Sequence, residues 1–436
     1  MTESGAATSE TEAAHRAVEA VWHIESARLV AGLARVTRDV GLAEEMAQDA
    51  LVAALEQWPV SGIPPNPAGW LMTTAKRRAI DAHRRDETFA RKAALLGADG
   101  QPGRGQGAAA DSDDAIDAID DRIGDDLLRL VFTSCHPALS LESRVALTLR
   151  CLAGLSTAEI ARAFLVPEAT AAQRIVRAKR TLTEQGIAFE LPSPEQLSQR
   201  LSSVLEVVYL VFNEGYAATA GEHWMRPELC AEAMRLGRLL VGLVPDEPEV
   251  HGLLALMELQ ASRLPARVGP RGEAVLLPDQ DRRRWDRLLV RRGLESLARA
   301  ESLPGAIGPY TVQAGIAACH ARASRAEETD WARIAGLYEV LAGVWSSPVV
   351  ELNRAVAVSF SAGPEAGLAV LDAAAASGQL DRYPHLHSVR GDLLARAGRA
   401  AEAAAAFGLA SELTRNESER AVFLSRAAYL RGAANP

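Results

Sequence analysis

Amphipathic helical spacing is the feature that most restricts the fold of this chain. After Pro192 and Pro194, apolar residues recur at helical intervals through the remaining half of the 436 residues, interrupted only by short glycine or proline breaks. Nowhere in this half do polar and apolar residues alternate as in a half-buried strand. The composition is rich in Ala, Leu, Arg and Glu, which favour helix wherever packing does not decide. The sequence therefore predicts an all-α protein.

Polar segments divide the chain into several parts. The glycine-rich stretch Gly97–Gly107 and the aspartate-rich run Asp111–Asp126 are both too polar to bury a core. A chain of this length also suffices for about two to four domains. We predict a flexible N-terminus at 1–14, a helical domain at 15–90, a flexible acidic linker at 91–124, a second helical domain at 125–187, and a long helical domain at 195–436.

A helix that begins near Gly69 combines an apolar stripe with a basic face. Leu71 and Ala75 belong to the stripe, and Trp70 and Arg77 project from the other side. A solvated amphipathic helix would carry similar charges. The tryptophan favours a second interpretation, single-stranded DNA binding, because an indole ring stacks on an unpaired base. The side chains predicted for that role are Trp70, Lys76, Arg77, Asp81, Arg84 and Arg85.

A helix-turn-helix pattern follows in the second domain. Ser156 and Glu159 suit the start of a helix, and the turn Leu165–Pro167 precedes a second helix. In that second helix Ala171, Ile175 and Ala178 are predicted to be buried. The outward residues can reach base edges or phosphates in a major groove, although a purely structural helix pair has the same spacing. The predicted DNA-contacting residues are Thr170, Gln173, Arg174, Arg177 and Arg180.

These motifs resemble the sigma-70 family of bacterial RNA polymerase sigma factors, of the extracytoplasmic-function type. Asn66–Asp81 is similar to regions 2.3 and 2.4, which melt and read the minus-ten element, and Arg144–Arg180 is similar to region 4, which reads the minus-thirty-five element. Asp39–Ala50 is similar to region 2.2, which docks on the β′ clamp helices of core polymerase. The resemblance implies docking through Glu45, Gln48 and Asp49, and further contact with the β flap. Many relatives have Asn where this chain has Arg77, so the base preference at that position is not carried over.

The long C-terminal half contains one unit with the spacing of a tetratricopeptide repeat. Its small residues and one aromatic residue are Gly391, Gly398, Ala403, Phe407 and Ala410. The half also contains the polar clusters Asn213–Tyr216 and Asp279–Trp285. These clusters either cap helices and cross-link repeats or line a concave surface for a regulatory protein or ligand. Taken together, the half resembles a C-terminal extension of one group of these sigma factors, which implies regulation or polymerase interaction in place of a membrane anti-sigma partner.

The other features of the sequence offer no site for chemistry. Cys135, Cys151, Cys230 and Cys319 form no CxxC pair, so reduced thiols and a cytoplasmic location are expected. No metal or cofactor site is predicted, since no second Cys or His pair lies at zinc spacing. No segment has the roughly 18 uncharged apolar residues of a membrane span. The aspartate-rich run is either a solvated spacer or, as family linkers that pass through polymerase channels suggest, a mimic of a nucleic-acid backbone.

The functional hypothesis is a non-enzymatic transcription initiation factor that binds core RNA polymerase and promoter DNA. A net charge of -9 argues against a protein that coats nucleic acid nonspecifically, although whole-chain charge hides local basic segments. Two alternatives stay open at this point: a one-component regulator with a sensory repeat domain, and a repeat scaffold whose N-terminal half only docks partners.

Overall fold

The computed structural model describes residues 3–78, 123–164, 166–216, 225–270, 275–345, 347–376, 378, 380–414 and 417–433. It divides into two compact units, Met1–Val207 and Val208–Pro436. Within the described ranges the secondary structure is helical and no β-strand forms, so the all-α prediction is confirmed. The predicted linker lies outside the described residues up to position 122.

The first unit contains helices of very different length. They are α1 (Glu3–Thr37), α2 (Val40–Ser61), α3 (described over 67–78), α4 (Ile123–Ser134), α5 (Leu141–Cys151), α6 (Thr157–Ala163) and α7 (Glu168–Glu184), followed by α8 (Pro194–Tyr216), which contains the division between the units. Residues 3–14, expected to be flexible, form the first turns of α1. Their Ala and Glu content explains this, because both residues favour helix.

Helices α1 and α2 pack against each other through small side chains. Ala34 on α1 and Ala43, Ala47 and Ala54 on α2 are completely buried. The turn between the helices is tight: Arg38 has φ 55°, and the Asp39 side chain accepts a hydrogen bond from the Leu42 amide at 3.0 Å. Small residues at helical spacing let two backbones approach closely, so this pair forms a rigid base for α3 and α4.

The second unit is a succession of helices, most of which pack on their neighbours in sequence. They are α9 (Pro227–Leu243), α10 (Pro248–Ala261), α11 (Arg287–Ser302), α12 (Pro309–Arg322), α13 (Trp331–Val344), α14 (Pro348–Ala362), α15 (Pro364–Ala375), α16 (Pro384–Arg396), α17 (Ala400–Leu413) and α18 (Glu417–Ala433). Proline occupies the first turn of many of them, where its missing N–H costs nothing.

The unit predicted to be tetratricopeptide-like corresponds to α16 and α17. Phe407 is 1% exposed and packs against Gly391, where an added Cβ would lie 2.9 Å from the ring. Gly398 ends the loop between the helices with φ 78°, a conformation that favours glycine. The small positions thus permit a close helix pair. Assignment of the whole array to the tetratricopeptide class stays a prediction.

Candidate nucleic-acid interface

Trp70 is positioned by the start of α3 and by a second tryptophan. Asn66 caps the helix by accepting a hydrogen bond from the Gly69 amide at 2.9 Å. The Trp70 ring meets the buried Trp58 edge to face, with centroids 5.6 Å apart. Such pairs stabilise a fixed ring orientation. Trp70 is therefore held half-buried, with part of its indole accessible at the surface of the unit.

The basic residues of α3 that the structure describes extend two turns from Trp70. Arg77 is exposed and has no ion pair with any described residue, and it lies seven positions after Trp70, hence on the same side of the helix. Lys76 is half-buried, and Arg78 pairs with Asp49 at 3.3 Å. The other predicted minus-ten residues, Asp81, Arg84 and Arg85, lie outside the described residues.

The predicted docking residues share one side of α2. Glu45 and Asp49 are exposed and Gln48 is half-buried, at positions three and four apart. Two of them already have cationic neighbours. Asp49 pairs with Arg78, and Glu45 lies 3.5 Å from the ammonium of Lys179 on α7.

Helices α6 and α7 form the predicted helix-turn-helix. Ser156 accepts a hydrogen bond from the Glu159 amide, and the Glu159 carboxylate accepts one from the Ser156 amide, which completes a capping box. Helix α7 begins after Pro167. Its buried residues include Ala171, Ile175 and Ala178, as periodicity predicted. The sequence therefore located the packed face of this helix correctly.

The opposite face of α7 carries the predicted DNA-contacting residues. Gln173 and Arg177 are exposed, and Thr170 and Arg174 are half-buried. Arg180 is also exposed and lies 3.3 Å from Glu184 one turn later. Arg177 has no ion pair within the described part of the chain. One side of α7 thus presents amide and guanidinium donors, the groups that bond base edges and phosphates.

A buried carboxylate joins the two halves of this unit. Glu44, on α2, is 3% exposed. It accepts hydrogen bonds from Arg150 on α5 at 2.6 Å and from Lys179 on α7 at 2.5 Å. We call Glu44, Arg150 and Lys179 the clasp. Because both half-buried cations share one carboxylate, loss of that carboxylate would leave Arg150 without a counter-charge and Lys179 with only the exposed Glu45.

Further contacts between the same halves surround the clasp. Trp22 on α1 donates from its indole nitrogen to the Gly154 carbonyl at 2.9 Å. Gly154 has φ 69°, and an added Cβ would lie 2.5 Å from the Ser26 hydroxyl, so glycine is required there. The Thr183 hydroxyl donates to Asp39 at 3.2 Å. The helix-turn-helix is therefore bound to α1 and α2 at several points.

The clasp also governs the electrostatics of its neighbours. Burial lowers the pKa of Lys179, but the adjacent Glu44 and Glu45 carboxylates outweigh that effect and hold the pKa above its ordinary value. Burial, reinforced by Glu44, raises the pKa of the nearby Cys151 thiol to about 12. Lys179 is therefore firmly charged, and Cys151 is an unreactive buried thiol.

Sequence reasoning did not single out Glu44, Lys179 or Trp22. The Glu44 partners are 106 and 135 positions away along the chain. One local signal exists: Glu44 lies three positions before the buried Ala47, at helical spacing, so it falls on the packed side of α2.

The described residues contain no group of three His, Cys, Asp or Glu side chains that could hold a metal ion. Nor does any described helix have the length and apolarity needed to cross a bilayer.

Comparison with family models gives three matches along the chain. "Sigma-70 region 2" matches residues 24–88, "Sigma-70, region 4" matches residues 129–182, and a "family of unknown function" matches residues 200–301. The first match contains the C-terminal part of α1, all of α2 and the described part of α3. The second contains the C-terminal half of α4, all of α5 and α6, and most of α7.

Two known proteins are similar to the chain over different lengths. An uncharacterized protein of Rhizobium meliloti is 45% identical over 398 residues, which are 89% of this chain and 90% of that protein. The probable ECF RNA polymerase sigma factor SigI of Mycobacterium tuberculosis is 31% identical over 179 residues, 40% of this chain and 57% of that protein. The chain therefore contains both conserved regions of the sigma-70 family, and it shares nearly its whole length with the Rhizobium relative.

Proposed function

We propose that this protein directs core RNA polymerase to promoters, with no enzymatic activity of its own. The observation that carries the proposal is the presence of both sigma-70 regions, each with an exposed face suited to DNA. One face presents Trp70 and Arg77, and the other presents Gln173 and Arg177. A protein with only a helix-turn-helix would need the second face alone.

Region 2, in this proposal, opens and reads the minus-ten element. The half-buried Trp70 offers a ring for an unpaired base, and Arg77 on the same side offers charge for the adjacent phosphate. Glu45, Gln48 and Asp49 dock on the β′ clamp helices. Asp49 and Glu45 are exposed carboxylates, and their cationic neighbours lie 3.3 and 3.5 Å away. Pairs with an exposed carboxylate contribute little to stability, so polymerase can replace these contacts at little cost.

Region 4 grips the minus-thirty-five duplex with α7 in the major groove and also contacts the β flap. Gln173 and Arg177 supply base-edge contacts. Thr170, Arg174 and Arg180 contact the phosphates beside them. The second unit modulates this activity, and it is the site where a regulatory protein or ligand would act.

The clasp must open before both promoter elements are bound. Elements named for positions about 25 base pairs apart lie ~85 Å apart along B-DNA. Helix α7 has 17 residues and is ~25 Å long. Arg177 lies two positions before Lys179, which contacts Glu44 of region 2 directly. The closed arrangement therefore keeps the two reading faces too close for simultaneous use.

Run-off transcription with purified core polymerase tests the proposal. The template is a promoter whose start site appears when the protein is overproduced in cells. We expect promoter-dependent transcripts only when the full chain is added. A Trp70→Ala variant should still bind duplex promoter DNA while forming open complexes at a rate roughly 10-fold lower, since stacking on a base contributes about 1 to 3 kcal/mol.

The outcomes separate the proposal from its rivals. A one-component regulator would bind duplex DNA but give no transcript with core enzyme alone. A repeat scaffold would do neither. Equal loss of duplex binding and of open complexes in Trp70→Ala would contradict the stacking role while leaving promoter direction itself intact.

A further inference from the structure

In the second unit, one arginine differs from the other buried or half-buried cations. Arg263 follows the end of α10 and is half-buried. Folding brings it between two aromatic rings that are distant in sequence. Its guanidinium carbon lies 5.6 Å from the Tyr216 ring centroid and 6.0 Å from that of Trp285. Flanking rings hold a guanidinium plane in a fixed orientation.

Arg263 has no acceptor among the residues that the structure describes. Its guanidinium forms no ion pair and no hydrogen bond with them, and its Nε is buried without a partner. Comparable half-buried arginines of the same unit are paired, such as Arg354 with Glu351 at 2.8 Å. A fixed guanidinium without an acceptor is costly unless something supplies one.

A second cation, Arg282, shares the Trp285 ring with Arg263. Arg282, 6% exposed, lies 5.1 Å from the same Trp285 ring and donates to three neutral oxygens, including the His320 carbonyl at 2.6 Å. Nearby described carboxylates have other partners: Asp281 pairs with Arg283, and Glu328 pairs with Arg325. The carboxylates of Glu327 and Glu328 oppose these charges from a distance, but no described carboxylate lies in salt-bridge range of Arg263 or Arg282.

Neutral donors and a buried histidine share this environment. His320 is 8% exposed and its Nδ1 has no described partner. Burial, and then the charges of Arg263 and Arg282, lowers its pKa to about 3, so the ring is neutral at physiological pH. Burial, aided by Tyr209, raises the pKa of Tyr338 to about 12, with the Arg263 charge opposing the rise. Tyr338 therefore keeps its hydroxyl proton and can donate it to an anion.

We propose that Arg263 is the anion-binding residue of a ligand site in the second unit, and that the ligand is a small molecule bearing a carboxylate or a phosphate. The fork of Arg263, oriented by Tyr216 and Trp285, binds two oxygens of the anion. The charge of Arg263 also reaches the Tyr338 hydroxyl, which stays protonated. The site goes beyond promoter binding and does not depend on it, because its residues all lie in the unit after Val208.

Anion titrations of the full chain test the site. Inorganic phosphate and benzoate each replace chloride at constant ionic strength, and binding is followed by the thermal midpoint and by calorimetry. The variants are Arg263→Gln, Arg263→Lys and, as matched control, Arg283→Gln. Arg283 is in the same region, is 89% exposed at its side chain and pairs with Asp281.

At least one of the two anions is expected to raise the midpoint of the wild type and of Arg283→Gln alike. Arg263→Gln should weaken that anion's binding about 10-fold or more, since charge-assisted hydrogen bonds are lost. The anion that acts identifies the ligand as phosphate or carboxylate. If neither anion acts on the wild type, or if Arg263→Gln responds equally, the proposal is overturned and Arg263 is a purely structural contact of two rings.

Arg263→Lys keeps the test decisive if the glutamine variant does not fold. Lysine keeps the charge but not the fork. We expect it to fold and to bind the anion several-fold more weakly than the wild type. Binding equal to that of the wild type would overturn two-oxygen recognition by Arg263.

Discussion

Each unit of this protein contains a cluster of buried or half-buried cations, and only the cluster in the first unit has a carboxylate as its counter-charge. In the first unit, Arg150 and Lys179 converge on the Glu44 carboxylate at 2.6 and 2.5 Å. In the second unit, Arg263 and Arg282 lie against the rings of one tryptophan, with no described carboxylate in salt-bridge range. A cation with its own carboxylate serves internal cohesion, whereas Arg263, which has no acceptor among the described residues, is available to an outside anion.

The largest effect is expected at the carboxylate of the clasp. Glu44→Gln leaves the half-buried Arg150 without a counter-charge and Lys179 with only the exposed Glu45 at 3.5 Å. Breaking a fully buried pair costs about 3 to 5 kcal/mol, which sets the upper bound here. We expect the closed arrangement of the first unit to open. Dyes attached to α2 and α7 would report a longer mean distance by energy transfer in the variant than in the wild type.

Glu206→Gln is the matched control for that change. Glu206 also pairs with an arginine, Arg144, at 3.1 Å, but its side chain is 50% exposed. Exposed pairs contribute about 0 to 1 kcal/mol, so the dye distance should stay at the wild-type value. A Glu44→Gln protein with an unchanged dye distance would show that the other contacts, such as Trp22 with Gly154, suffice to hold the unit closed.

Local spacing explains which parts of these sites the sequence could predict. The buried face of α7 was found because Ala171, Ile175 and Ala178 recur at helical intervals. Burial of this kind depends on neighbours within two turns. The helical fold, the helix-turn-helix and the place of Trp70 near the start of α3 follow from the same short-range signals. The sequence put the start of this helix near Gly69, and in the structure it begins at Pro67 after the cap Asn66.

The clasp and the Arg263 site depend on contacts that no local pattern records. Glu44 lies in a helix segment whose neighbour Glu45 is exposed, and only the fold distinguishes the two. The sequence did indicate polar clusters at Asn213–Tyr216 and Asp279–Trp285 as either caps or a ligand surface. It did not indicate Arg263, which lies outside both clusters and meets Tyr216 and Trp285 only through packing of the second unit.

The surface of α7 shows the same contrast between a cation with a nearby carboxylate and a cation without one. Arg177 has no ion pair with any described residue, whereas Arg180 lies 3.3 Å from Glu184. We expect Arg177→Ala to weaken minus-thirty-five binding by about 1 to 3 kcal/mol, with selectivity for one base-pair position. Arg180→Ala should weaken binding less and uniformly across sequences. Electrophoretic mobility shifts on a set of single-base promoter variants would distinguish them.

A promoter series without position dependence in Arg177→Ala would reassign that residue to a phosphate contact. A larger loss in Arg180→Ala than in Arg177→Ala would contradict the contrast itself, because the residue with its own carboxylate would then be the more available one.

The smallest effect is a pH dependence of stability that arises at His320, beside Arg263 and Arg282. His320 has its pKa lowered to about 3 by burial and by the charges of Arg263 and Arg282, whereas an unfolded chain binds the proton near pH 6.5. The unfolded state therefore binds more protons between these values. Stability of the second unit is fully present above about pH 6.5 and decreases as pH falls toward 3, by at most ~1.4 kcal/mol per pH unit.

Thermal midpoints of the full chain between pH 6.5 and 4.5 would measure that slope. His320→Gln should reduce it, because glutamine does not titrate. The remaining slope includes that of His136 in the first unit, whose pKa burial lowers to about 4. Arg263→Gln should reduce the slope part of the way, since one of the two charges that disfavour the imidazolium is removed. Arg283→Gln should keep the wild-type slope. A wild-type slope in Arg263→Gln would show that solvent screens the charge of Arg263 from His320. Arg282 would then be the cation that lowers the pKa of His320.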